Sequence, residues 1–271
     1  MSGLEPETKR ERRARAREER RERETAEAAA ALRRTRLAQL GVLAVAAAAV
    51  VALLVVLLVN DNSTKSKIKT VAGEAVPGEG YVNALFAGIP EQGLALGNPQ
   101  APVTMDEFAD LQCPFCRQYS VQALADLVNQ YVRPGKVRMV FHSLDFIGND
   151  SHTAALAAQA AGQQNRLWPF IELWYENQGT ENSGYVTDAF INKIAQGAGV
   201  NVAALTSARR SPPAQTAIDD ANALATANNV NSTPSFLLGR SGGKPTPFQP
   251  SSLTTGAFTG ALNQVISRSG G

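Results

Sequence analysis

Cysteine and histidine are scarce in this chain, two of each in 271 residues, and both cysteines fall in one short stretch, at Cys113 and Cys116. A domain stapled by disulfides carries more cysteines at wider spacing. Closing a loop with two intervening residues would remove only about 2 kcal/mol of unfolded-chain entropy, so a staple here would do little. A zinc centre needs about four ligands, and His142 and His152 do not stand at zinc-finger spacing, so no metal is expected. Basic excess is also missing from most of the chain. Twelve basic against eight acidic residues lie in positions 1–38, and the rest carries fourteen against sixteen. The larger part therefore offers no footprint for nucleic acid. No internal repeat is visible.

One long apolar run is present. Residues 40–59 contain no charged or strongly polar side chain. At 1.5 Å per residue such a helix would be about 30 Å long, the thickness of a bilayer core. It exceeds the usual core of a signal peptide, and Asn60-Asp61-Asn62-Ser63 offers no small-residue cleavage site. Arg33, Arg34 and Arg36 stand before it and Lys65, Lys67 and Lys69 after it, with many more arginines upstream. The positive-inside rule then predicts a single pass, the N-terminus cytoplasmic and the rest beyond the cell membrane. The expected organisation is a charged cytoplasmic segment at 1–38, a transmembrane helix at 39–60, a linker at 61–92 and a folded domain at 93–271.

Within that domain, residues 103–110 read as a buried strand. A helix over 114–132 follows, with Phe115, Tyr119, Ala123, Leu124, Leu127 and Tyr131 at steps of three and four. Pro134-Gly135 ends it, and 137–143 read as a second strand. Strand, helix and strand in this order predict a βαβ unit. Helical patterns then run from 151 to about 228, with Trp168, Phe170, Ile171, Trp174 and Tyr175 expected in the core. Strands are predicted at 235–239 and around Phe248, and a helix over 253–267.

The Cys113-Pro114-Phe115-Cys116 motif lies between the first strand and the helix. Cys113 is therefore expected at a helix N-terminus, where unpaired N–H groups and the dipole favour an anion. The thiolate is the reactive form of cysteine, and such settings lower its pKa. Pro114 suits the first helical position, since it presets φ and its missing N–H would go unpaired there. Cys113 is the expected nucleophile. Cys116, one turn on, is placed to resolve the mixed disulfide, and this chemistry calls for no cofactor.

The stretch Phe108-Ala-Asp-Leu-Gln-Cys113-Pro-Phe-Cys116 resembles the active-site segment of the DsbA-like branch of the thioredoxin superfamily. The helical block before the last strands is similar to that branch's insertion. The resemblance covers about residues 93–268 and implies an α/β fold, a thioredoxin-like sheet with a helical insertion. It implies that Thr233-Pro234 is the cis-proline site facing the motif, where substrate peptide pairs with the backbone, and that Pro114 and Phe115 touch substrate too. It implies that Glu107 is the buried acid of the family, which passes a proton to the resolving cysteine, with Arg138 a loosely aligned basic partner for it. Oxidases of that branch often carry His where Phe115 stands, which puts strong oxidising power in doubt. The implied activity is disulfide donation to exported proteins with cysteines, with a membrane redox partner to recycle the site. The alternatives are a tethered disulfide reductase and a non-catalytic thioredoxin-like binding module.

Overall fold

The computed structural model describes residues 75–269. The charged segment, the apolar run at 40–59 and the first part of the expected linker lie outside the described residues. Among the described residues no helix is long and apolar enough to cross a membrane.

The folded body begins ahead of the expected boundary at residue 93. Helix α1 (Glu79–Phe86) buries Val82, Leu85 and Phe86, and Arg133 donates to the carbonyl oxygens of Leu85 and Ala87. Two short strands follow, β1 (Glu91–Gln92) and β2 (Ala95–Leu96). Residues 79–92 are thus part of the domain, not linker. Their few core residues, Val82, Leu85, Phe86 and the partly buried Ile89, do not stand out from a sequence rich in Gly, Pro and polar residues.

The βαβ unit forms as expected. Strand β3 (Val103–Ala109) runs parallel to β4 (Val137–Ser143). The connecting helix α2 starts as α-helix over Pro114–Tyr119, and two π-helical stretches, Ser120–Leu124 and Val128–Val132, interrupt its continuation. The insertion comprises α3 (Asn149–Gly162), α4 (Leu167–Glu176), α5 (Asp188–Gly197), α6 (Val202–Ala208) and α7 (Pro212–Ala227). Strands β5 (Ser235–Arg240) and β6 (Thr246–Phe248) and helix α8 (Gly256–Ser269) complete the chain. The sheet order is β1-β2-β4-β3-β5-β6, with every pair antiparallel except β3 and β4.

Side chains alternate across a strand, so the register decides which residues meet. One face of the sheet presents Met105, Ala109, Met139, Phe141, Phe236 and Leu238 to the main core. The other presents Phe108, Leu144 and Leu237 to Ala221 and Ala225 of α7. Under the main face, Tyr119 packs on Phe236 and on Phe258 of α8, with ring centroids 4.9 and 5.3 Å apart. Trp168, Phe170, Trp174 and Tyr175 of α4 are buried, as their pattern predicts.

Candidate active site

Strand β3 ends at Ala109, and the chain makes one tight turn before α2. Cys113 N donates to Asp110 O at 2.9 Å, and Arg117 N donates to Cys113 O at 3.2 Å. Cys113 is the N-cap in extended conformation, with proline following at the first helical position. The Asp110 side chain shapes the turn, because its Oδ1 accepts from Gln112 N at 2.8 Å and from Ser151 Oγ at 2.8 Å. A short polar side chain bonding the backbone two residues on is a common way to fix such a turn.

The insertion holds the outer side of this loop. Tyr175 Oη donates to Asp110 O at 3.3 Å. Trp174 Nε1 donates to Leu111 O at 3.0 Å, and Gln178 Nε2 reaches both Leu111 O at 2.8 Å and Cys113 O at 3.2 Å. Tyr185 Oη adds a bond to Leu111 O at 3.3 Å. A buried carbonyl left unpaired costs about 1–3 kcal/mol, so these donors hold the loop as well as touch it. Sequence reading did not single them out; Trp174 and Tyr175 were legible only as core aromatics.

Both cysteines are free thiols and buried, Cys113 4% exposed and Cys116 not at all. Cys113 is flanked by Phe115, which is 60% exposed. As a thiol Cys113 donates to Thr233 O at 3.4 Å, so the chain brings Thr233 beside the motif from 120 residues away. The Thr233–Pro234 peptide bond is cis. The expected grouping of Cys113, Cys116, Pro114, Phe115, Thr233 and Pro234 is therefore present in space.

The two sulfurs are pushed apart in acidity. A hydrogen bond from the Cys116 thiol is the largest influence on Cys113, and the Thr233 side chain and the N–H groups of Cys116 and Phe115 add to it. Against the opposing effect of burial, they bring Cys113 down to about 6. Burial, then the same bond to Cys113, raises Cys116 well above the ordinary thiol value. At neutral pH the arrangement holds one thiolate and one thiol, the pairing that thiol–disulfide exchange needs at its two sulfurs.

Glu107 points inward, 2% exposed, in register with Phe141 of β4 and Phe236 of β5. Burial first, then the charge of Glu172, raises its carboxyl to about 8. Arg138 does not meet it. Arg138 is in register with Thr104, three positions from Glu107 along β3, so it lies on the opposite face of the sheet. Among the described residues no basic side chain forms an ion pair with Glu107. The acid close by is Glu172 on α4, fully buried. A lone carboxylate in the apolar stretch 167–175 was a signal that sequence reading passed over.

Among the described residues no group of side chains is suited to a metal ion. A mixed sheet with one parallel pair, and a Cys-Pro-Phe-Cys turn opening the helix between those two strands, make this a thioredoxin-like fold. A family model described as Thioredoxin matches residues 90–245, more than half of the chain, and the chain belongs to that family. It is 34% identical over 116 residues to a probable disulfide bond formation protein D of Bacillus cereus, covering 42% of this chain and 53% of that protein. The chain thus spans about half the length of the curated relatives it matches. Oxidised BdbD from Bacillus subtilis shares the fold, with a TM-score of 0.57 at 20% identity over 65% of this chain and 93% of that one. A thioredoxin-like oxidoreductase from Silicibacter pomeroyi superposes with a TM-score of 0.51 at 27% identity, covering 68% of this chain and 97% of that one.

Proposed function

We propose that this protein is an extracytoplasmic thiol–disulfide oxidoreductase, tethered to the cell membrane by residues 39–60, which donates disulfides to exported proteins through Cys113 and Cys116. The observation that carries this is the split between the two sulfurs, one lowered to about 6 at a helix start and one buried and raised. In the oxidised protein a client thiolate attacks Cys113 Sγ, and the Cys113–Cys116 bond breaks. The electron pair goes to Cys116, which takes up a proton. A second client thiolate then attacks the client sulfur of the mixed disulfide, and Cys113 leaves as a thiolate. The client gains a disulfide and the protein is left reduced by two electrons.

Stabilising the Cys113 thiolate favours the reduced form and so makes the disulfide a stronger oxidant. The absence of histidine at Phe115 does not remove that stabilisation, because here it comes from Cys116, Thr233 and backbone N–H groups. Pro114, Phe115, Thr233 and Pro234 form the surface that a client segment would touch, and Glu107 is the group that serves Cys116 with its proton. The apolar run at 40–59 and the arginine-rich segment before it support the tether and its orientation. Location beyond the membrane suits a disulfide donor, because disulfides persist there. The test is whether the oxidised full chain restores activity to a reduced, unfolded disulfide-containing enzyme. Donation predicts recovery that Cys113→Ser abolishes. Recovery unchanged in that variant refutes the proposal.

A further inference from the structure

Behind Cys116 lies a buried polar nest without a cation. Glu107 of β3 and Glu172 of α4 are both buried, and one oxygen of each, Glu107 Oε2 and Glu172 Oε1, has no hydrogen-bond partner. The Tyr119 hydroxyl on α2 also lacks a partner; its ring packs on Phe236, the cross-strand neighbour of Glu107, and Tyr119 precedes Ser120 in the chain. The other Glu172 oxygen accepts from Ser120 Oγ at 2.6 Å, where α2 changes from α- to π-helix. Tyr119 senses the charge of both carboxylates. Tyr175 senses Cys116, Glu107, Asp110 and Cys113, which places Glu107 and the thiols in one electrostatic neighbourhood.

A packing role does not account for a second acid here. Desolvating a carboxylate is expensive unless it is paired or stays protonated, and two neighbouring carboxylates resist ionising together. An apolar residue at position 172 would suit its neighbours Ile171 and Leu173, both buried. Resting on the oxidoreductase reading above, we infer that Glu172 is a positioning residue for disulfide exchange: with Glu107 it forms a buried acid pair that sets when Glu107 can take the proton from Cys116.

In a mixed disulfide between Cys113 and a small thiol, the Glu107 carboxylate accepts the proton of Cys116, leaving a thiolate. That thiolate attacks Cys113 Sγ, the Cys113–Cys116 bond forms, and the small thiol departs with the electron pair. Glu107 must be ionised for this step, and a negative Glu172 opposes that ionisation. The groups facing the pair are Tyr119 and Ser120 from α2, Tyr175 and Glu176 from α4, and Tyr81 from α1. Cys113, Cys116 and Asp110 lie on the side of the motif, and Asp126 acts on Tyr81. The nearest basic group on α2, Arg117, is directed to the Tyr175 carbonyl, with Nε at 2.9 Å.

Reduced full-length protein mixed with excess glutathione disulfide separates two events, glutathione addition at Cys113 and closure by Cys116, which acid quenching and mass spectrometry follow across pH. Glu172→Gln keeps an acceptor for Ser120 and removes the charge. The closure rate should then reach half its maximum about one pH unit lower than in the wild-type protein, while the pH profile of addition stays in place. Ser120→Ala removes the bond that favours ionised Glu172 and should move closure in the same direction by less. Glu107→Gln should slow closure at neutral pH at least about tenfold, since it removes the proton acceptor. Closure profiles of Glu172→Gln and Ser120→Ala that overlay the wild type, with thermal stability alone changed, overturn the inference. The readout is independent of client donation, because glutathione closure occurs whether or not an unfolded protein is ever oxidised.

Discussion

Replacing Cys116 by alanine removes the hydrogen bond that contributes most to the acidity of Cys113. A hydrogen bond to a charged group is worth about 1.5–3 kcal/mol, and one pKa unit corresponds to about 1.4 kcal/mol. Cys116 is fully buried, so water does not readily supply a substitute donor. The thiolate midpoint of Cys113 should therefore rise from about 6 by about one to two units in Cys116→Ala. Cys116→Ser retains a hydroxyl donor and should shift it less. Both variants leave the Phe115 and Cys116 backbone N–H groups in place, so neither should bring Cys113 fully to the free-thiol value. The assay is the rate of iodoacetamide alkylation at Cys113 as a function of pH in the full-length protein. A wild-type midpoint near that of a free thiol refutes the reasoning. So does a Cys116→Ala midpoint equal to the wild type.

The same acidity has a consequence for stability. A depressed folded-state value means that the unfolded chain binds the extra proton between pH 6 and 9, so the reduced protein gains stability relative to the oxidised one as pH rises through that window and loses it as pH falls through about 6. Denaturant unfolding of both redox forms from pH 5 to 8 measures this. Glu107 acts with the opposite sign. Its raised folded-state value, about 8 against 4.5, means that stability falls with rising pH between those values by up to about 1.4 kcal/mol per unit. Glu107→Gln should remove its own part of that slope, as read from unfolding of the oxidised protein, while Glu172, raised by burial to about 7, still contributes below that pH. Gln178→Ala should destabilise the fold by only about 0.5–1.5 kcal/mol, seen as a slightly lower Tm, because Leu111 O keeps Trp174 and Tyr185 as donors and Cys113 O keeps the Arg117 N–H. Deleting residues 1–60 should release the protein from sodium-carbonate-washed membranes into the soluble fraction.

The βαβ unit was legible because the apolar period changes from two to three or four at Cys113, and a Pro-Gly pair marks the end of the helix. The aromatic core of α4 was legible for the same reason, density of large apolar side chains. The strands β1 and β2 were not, since two residues each carry no periodicity. Helix α1 was hidden by its glycine-rich surroundings. Which face of β3 carries Glu107 depends on register with β4, and the same register separates it from Arg138. A pairing implied by a loosely aligned resemblance can therefore fail when two strands are aligned residue by residue. The donors that hold the active-site loop come from as far away as Tyr185, 74 positions from Leu111, and no local pattern reports such a distance.

The reduction potential of the full-length protein, equilibrated against glutathione at neutral pH, bears most directly on the claim that a stabilised Cys113 thiolate makes this site a disulfide donor. A value of about −180 mV or more positive is predicted. A value near about −270 mV, typical of a thioredoxin reductant, would contradict it.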